Sequence, residues 1–165
     1  MTEKKEENKL EKLQKEYSKL QKEHELPDFE EMNDLFDIEE LVGKETTNLL
    51  RLIRRRMTEK TSSYLRFTEI FLNPSQAPLF FMVLTKNISQ EGRTLINEVY
   101  YELGRIEIQH LKLENMSDIK KEAEVIKEVH KEWKEISKKM LKLSEIFEEK
   151  WKEKKSESKS KTYFG

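Results

Sequence analysis

The sequence predicts an all-α protein, an antiparallel helical bundle with long coiled-coil-like helices at its N- and C-terminal ends. Apolar residues recur at helical spacing through most of the 165 residues. Charged residues make up 39% of the chain, and the two signs alternate as they do on solvated helices. Only 4 glycines and 3 prolines are present, which is too few for the turns of a many-stranded sheet.

The N-terminal residues predict a heptad helix followed by an acidic segment. A helix is predicted over residues 3–24, because the residues of one face are spaced alternately three and four apart: Leu10, Leu13, Tyr17, Leu20 and His24. The helix is expected to end before Pro27. Residues 26–43, here called the acidic arm, contain seven acids and no base. We expect one or two short amphipathic helices in the arm, with Gly43 as the C-cap and four apolar anchors, Phe29, Met32, Phe36 and Ile38.

Residues 44–116 predict the helical core. A long helix is expected from about residue 45 to residue 72, where Asn73-Pro74 stops it. Residues 75–87 follow, with an apolar run at 79–84 that predicts either a buried helix or a short buried strand. An apolar patch of this kind could also be a site for a partner, but such a run is more often core, and we favour core. The next helix is expected over residues 90–114, with Ser89 as its N-cap.

The last long helix is predicted over residues 118–155, opened by Asn115 or Ser117. Its heptad stripe is the most regular in the chain: Ile126, Val129, Trp133, Ile136, Met140, Leu143 and Phe147. Residues 156–165 are rich in Ser and Lys and predict a flexible tail. We therefore expect one domain over residues 1–155, made of segments 1–25, 26–43, 44–116 and 117–155. The terminal stripes could pair with each other or with another chain.

The composition argues against several classes of enzyme. Without Cys there is no thiol nucleophile, disulfide or Cys-ligated metal site. Recognisable hydrolase, zinc-protease and nucleotide-loop motifs are also missing from the sequence. We therefore expect no catalytic residues and no cofactor, and favour a binding role over an enzymatic one. The longest apolar run, residues 77–84, is far shorter than a membrane helix. We therefore expect a cytoplasmic protein that does not bind or cross a membrane.

Glu107 and His110 form a Glu-x-x-His pair, which is half of the motif used in di-iron helical bundles. Glu122 lies across the predicted turn and is a third candidate ligand. A second Glu-x-x-His is absent from the sequence. We therefore favour a polar patch at a helix seam, with Arg54 or Arg56 neutralising Glu107, over a metal site.

All seven arginines fall between residues 51 and 105, and five of them are candidates for binding an anion: Arg51, Arg54, Arg55, Arg56 and Arg66. Clustered Arg on a helix can bind nucleic-acid phosphates. However, the formal net charge is only -1, so the chain lacks the overall basic field of a nucleic-acid-binding protein. We favour the acidic arm, docked across this helix, as the partner of the arginines.

The function favoured by these patterns is a non-enzymatic protein–protein interaction or assembly module. Its partner would be another protein or a second copy of the chain, bound through the heptad seam of residues 118–151, through the acidic arm, or both. Nucleic-acid binding through residues 51–66 is the alternative. A metal-binding helical bundle around Glu107 and His110 is the second alternative.

Overall fold

The computed structural model describes residues 2–44, 47–86, 88–116 and 118–161, which form an all-α bundle and contain no strand. The all-α helical bundle is therefore confirmed, and the strand alternative for residues 79–84 is wrong. Short 3₁₀ turns lie at Ile38–Leu41 and Pro74–Gln76. The α-helices are α1 (Thr2–His24), α2 (Phe29–Phe36), α3 (Leu49–Leu72), α4 (Leu79–Lys86), α5 (Gln90–Glu114) and α6 (Ile119–Lys161).

The chain divides into two compact units. The first unit comprises Met1–Ser62 and Arg105–Trp133, and the second comprises Ser63–Gly104 and Lys134–Gly165. Helices α3, α5 and α6 each contribute residues to both units. No helix in the described part of the chain has both the length and the low charge needed to cross a bilayer.

Polar contacts in the first unit show that its long helices are antiparallel. The Arg51 side chain at the start of α3 bonds to the end of α5 at Glu114, whereas Ser62, further along α3, donates to the earlier Glu107 of α5 at 2.6 Å. In the same way, Gln109 of α5 donates to Glu128 of α6 at 3.1 Å, and Arg105 pairs with the later Glu132. Short connections between helices favour this antiparallel order.

The end of α1 and the acidic arm fold on each other. The Tyr17 hydroxyl donates to the Pro27 carbonyl at 2.6 Å, and its ring meets Phe29 edge to face with centroids 5.4 Å apart. Burial, followed by the charges of Asp28 and Glu31, raises the pKa of Tyr17. The arm buries an apolar set made up of Met32, Phe36, Ile38 and Leu41. Gly43 has a φ of 83°, as expected for a residue that ends a helical segment.

In the second unit, aromatic rings pack between α3, α4 and α6. The rings of Phe71 and Phe147 stack with centroids 4.5 Å apart and an interplanar angle of 14°. Phe81 meets Phe71 edge to face at 5.6 Å, and Phe67 packs edge to face against the same cluster. Such pairs add to the stabilisation that comes from burying their area.

The assignment of residues 79–84 to the core is wrong for half of this run. Leu84 is buried, but the exposed fractions of Leu79, Phe80 and Met82 are 76%, 49% and 44%. Only one face of a two-turn helix packs against the rest of its unit. A helix that is apolar on all faces therefore leaves some apolar side chains exposed to solvent.

The helix ends follow local capping rules. The hydroxyl of Ser89 accepts the N–H of Gly92 at 3.1 Å, as predicted for the cap of α5. Helix α6 is capped by Asp118, whose carboxylate accepts the N–H groups of Lys120 and Lys121 at 3.1 and 3.2 Å. Asn115 does not serve this role, and Ser117 lies outside the described residues. Helix α6 continues to Lys161, beyond the predicted end at residue 155, because its Ser/Lys sequence contains no Pro or Gly to stop it.

The heptad stripe of α6 is buried in the structure of the single chain. All seven residues of the stripe are buried: Ile126, Val129, Trp133, Ile136, Met140, Leu143 and Phe147. This stripe is therefore part of the core of the single chain.

Helix α1 ends in a left-handed residue that is not glycine. Glu25 has a φ of 55°, and the N–H of Leu26 bonds to the carbonyl of Gln21 at 3.2 Å, which is the Schellman pattern. A side chain at this φ costs about 1 kcal/mol or more.

We predict that Glu25→Gly raises the free energy of unfolding by about 0.5–1 kcal/mol, since glycine adopts this φ without steric cost. Urea unfolding followed by circular dichroism measures the change. Glu25→Ala is the control and should bring no such gain, because alanine keeps the Cβ. A glycine variant less stable than the alanine variant would contradict the prediction.

Candidate functional site

The arginines at the start of α3 converge on carboxylates from α5 and α6 in the first unit. Arg54 is fully buried, with an exposed fraction of 0%. Its Nε donates to Glu122 at the start of α6, and its Nη2 donates to Glu114 at the end of α5 at 2.8 Å. A buried charge is tolerated only when it is paired and hydrogen-bonded, and these two carboxylates pair with Nε and Nη2. The third nitrogen, Nη1, has no hydrogen-bond partner among the described residues.

Glu114 is the shared acceptor of this cluster. Arg55 binds its carboxylate with two nitrogens, at 3.0 and 2.9 Å, and Arg51 donates to its backbone carbonyl at 3.0 Å. The hydrogen bonds from Arg55 and Arg54 lower the pKa of Glu114 to about 2, while the bond to Glu114 raises the pKa of Arg55. The arginines also compensate the partial negative charge at the C-terminal end of α5.

The acidic arm pairs with the next turn of the same helix. Arg56 contacts Glu40 at 2.8 Å and Asp37 at 3.9 Å, and Lys60 contacts Asp37 at 3.5 Å. The arm therefore lies against α3 as predicted, but through Arg56 and Lys60. Arg51, Arg54 and Arg55 bind Glu114 and Glu122 instead. Arg66 is exposed and belongs to the second unit.

The three candidate metal ligands do not act together: the two carboxylates have separate partners, and the histidine has none among the described residues. Glu107 accepts the hydrogen bond of Ser62, rather than pairing with Arg54 or Arg56, and Glu122 binds Arg54. Neither ring nitrogen of buried His110 has a hydrogen-bond partner among the described residues. In the described ranges, no group of three or more His, Asp or Glu side chains is placed to hold a metal ion.

A second feature, whose α4 residues the sequence-based expectation assigned to the core, lies in the second unit. Leu79, Phe80 and Met82 of α4 are exposed together with Trp151 of α6, whose ring centroid lies 5.2 Å from that of Phe80. These four residues are here called the apolar patch. The sequence of α4 could have predicted this exposure. Its eight residues LFFMVLTK contain more large apolar side chains than one buried face can hold.

A groove of about 810 Å³ adjoins the apolar patch. Its apolar wall includes Pro74, Leu79, Met82 and Val83, and its polar rim includes Lys86, Arg93, Lys150 and Glu153. Clefts of this size accommodate ligands or several side chains of a partner.

The chain is thus an all-α helical bundle with a charged cluster and an apolar patch. Comparison with protein-family models, with curated proteins and with solved structures found no match. The interpretation of function therefore depends on the geometry of these two features.

The buried imidazole of His110 makes stability depend on pH. Its burial, followed by the charge of nearby Arg54, lowers its pKa from 6.5 to about 4. Between these pH values the unfolded chain binds a proton that the folded chain does not. The free energy of unfolding therefore contains a contribution that is full above pH 6.5 and is lost as the pH falls towards 4.

We predict that His110→Leu removes this contribution, so that less stability is lost between pH about 7 and about 5 than in the unmodified protein. Leucine has a similar volume and no titrating group. Urea unfolding at the two pH values provides the measurement, and His24→Leu, at a partly exposed position, serves as the control. An unchanged pH dependence in His110→Leu would show that this histidine is not the source.

Proposed function

We propose that the protein is a non-enzymatic protein–protein interaction module and that its binding surface is the apolar patch. The observation that carries this proposal is the joint exposure of Leu79, Phe80, Met82 and Trp151. Adjacent large apolar side chains gain free energy when a partner covers them, at about 25 cal/mol per Å² of apolar area. Contiguous exposed apolar surface of this kind marks interaction sites on proteins.

The surfaces favoured by the sequence are less accessible than this patch. The α6 stripe is buried in the structure of the single chain, and the arm keeps Met32 and Phe36 at 0% exposure. Releasing the arm to a partner would expose both side chains, at a cost of about 1.5–3 kcal/mol each. Self-association through heptad helices as a coiled coil is therefore the less favoured form of the proposal. We place the interaction in the cytoplasm, because a chain without Cys needs no oxidising compartment to form disulfides.

The two alternatives from the sequence have weaker support. Phosphate binding by Arg51, Arg54 and Arg55 would have to compete with the carboxylates of Glu114 and Glu122, which already hold these side chains. Metal binding would need the carboxylates of Glu107 and Glu122, which already accept hydrogen bonds from Ser62 and Arg54.

We predict that a photo-crosslinking amino acid at position 80 forms a discrete crosslinked product with another protein in cells of the source organism. The same group at position 101 is the matched control, since Tyr101 is also an aromatic residue of the second unit and is 73% exposed. Gel mobility and mass spectrometry of the purified products provide the readout.

The product at position 80 should disappear when Leu79→Ser and Met82→Ser are combined with it, because these changes remove apolar contact area. Equal crosslinking from positions 80 and 101, or crosslinking that survives the two serines, would contradict the proposal.

A further inference from the structure

We propose that the groove beside α4 binds an acidic amphipathic helix of a partner protein. This inference rests on the proposed function and specifies the chemistry of the partner. It draws on the shape of the groove, on the charges at its rim and on the way in which the same chain holds its own acidic arm.

The apolar wall of the groove determines that the partner must bring apolar side chains. Leu79 and Met82 are three residues apart on α4 and both line the groove, with Pro74 and Val83 beside them. A helix bound in such a groove inserts side chains spaced three and four residues apart. The described residues contain no strand, so no sheet edge is available there for a partner to extend.

The rim of the groove determines that the partner must be acidic. Lys86 and Arg93 are exposed, and no acidic side chain of the described residues pairs with either of them. Lys150 also lines the groove and contacts Glu153 at 2.8 Å, so three cations face one carboxylate. An acidic partner would complement this charge, whereas a second copy of the chain in a symmetric contact would place like charges opposite each other.

The acidic arm shows that this chemistry works within the same protein. The arm is an acidic amphipathic segment that buries Phe36 and Ile38 and pairs Asp37 and Glu40 with cations of α3. The groove beside α4 has the same combination of apolar surface and cations.

The test is fluorescence anisotropy of a labelled synthetic helix of about four turns, with Leu and Phe on one face and Glu on the other. A peptide with the same apolar face and Lys in place of Glu controls for charge. We expect saturable binding of the acidic peptide only, weakened by salt because the rim charges are solvent-exposed.

Variants of the whole 165-residue chain test whether the peptide binds at the groove. Lys86→Glu combined with Arg93→Glu should weaken binding about tenfold or more, whereas Arg66→Glu, at an exposed cation of the same unit outside the groove, should not. Leu79→Ser combined with Met82→Ser should weaken it about thirtyfold. The matched control is Tyr101→Ser combined with Leu141→Ser, which changes two exposed apolar residues of the same unit.

Three results would overturn this inference. One is equal affinity for the acidic and basic peptides, and another is an affinity unchanged by the Lys86 and Arg93 substitutions. The third is binding to phosphatidylserine vesicles, abolished by the same serine variant, with no binding to the acidic peptide. If position 80 still crosslinks to a protein in cells when the acidic peptide fails, the interaction function stands and only the acidic chemistry of the partner is wrong.

Discussion

The buried guanidinium of Arg54 is the constraint on which the first unit depends. Removing a charge from water costs several kcal/mol, and the folded chain offsets this cost only by bringing two carboxylates to the same point. One carboxylate is at the end of α5 and the other at the start of α6, so α3 is bound to both sides of the connection between them. Arg51 and Arg55 complete the arrangement by satisfying the carbonyl and the carboxylate of Glu114.

Because the arginines at the start of α3 pair with carboxylates of the same chain, they are a weaker candidate for a binding surface than the sequence indicated. A cluster whose charges are neutralised within the chain holds helices together, and the formal net charge of -1 agrees with such internal pairing. The second unit instead has exposed apolar side chains on α4, and these lie beside the cations Lys86 and Arg93, which pair with no acidic side chain of the described residues. The first unit is thus explained by its own contacts, whereas the second exposes the apolar patch, which is why the proposed binding surface lies there.

Periodicity and capping rules predicted most of the helices, because these depend on neighbouring residues. The bounds of α5, the end of α3 and the Ser89 cap agree with the sequence-based expectation. Two features could not be predicted in this way. The sequence identified Arg54 as a candidate for binding an anion, but its burial depends on Glu114 and Glu122, which lie 60 and 68 residues away. The exposure of Leu79 depends on which face of α4 its unit covers, and the local sequence does not contain that information.

A double-mutant cycle on Arg54 and Glu122 tests most directly whether the arginine cluster is an internal support. The free energy of unfolding is measured by urea denaturation for Arg54→Met, for Glu122→Leu and for the two combined. Each single change should destabilise the protein by about 3–5 kcal/mol, because it removes one of the few opposite charges beside a buried ion. Glu122→Leu leaves Arg54 with Glu114 alone, and Arg54→Met leaves Glu122 with only the 4.0 Å contact to Arg51. The combined variant should lose much less than the sum of the two. Losses that add up, or single changes without effect, would contradict the claim that this buried pair organises the first unit.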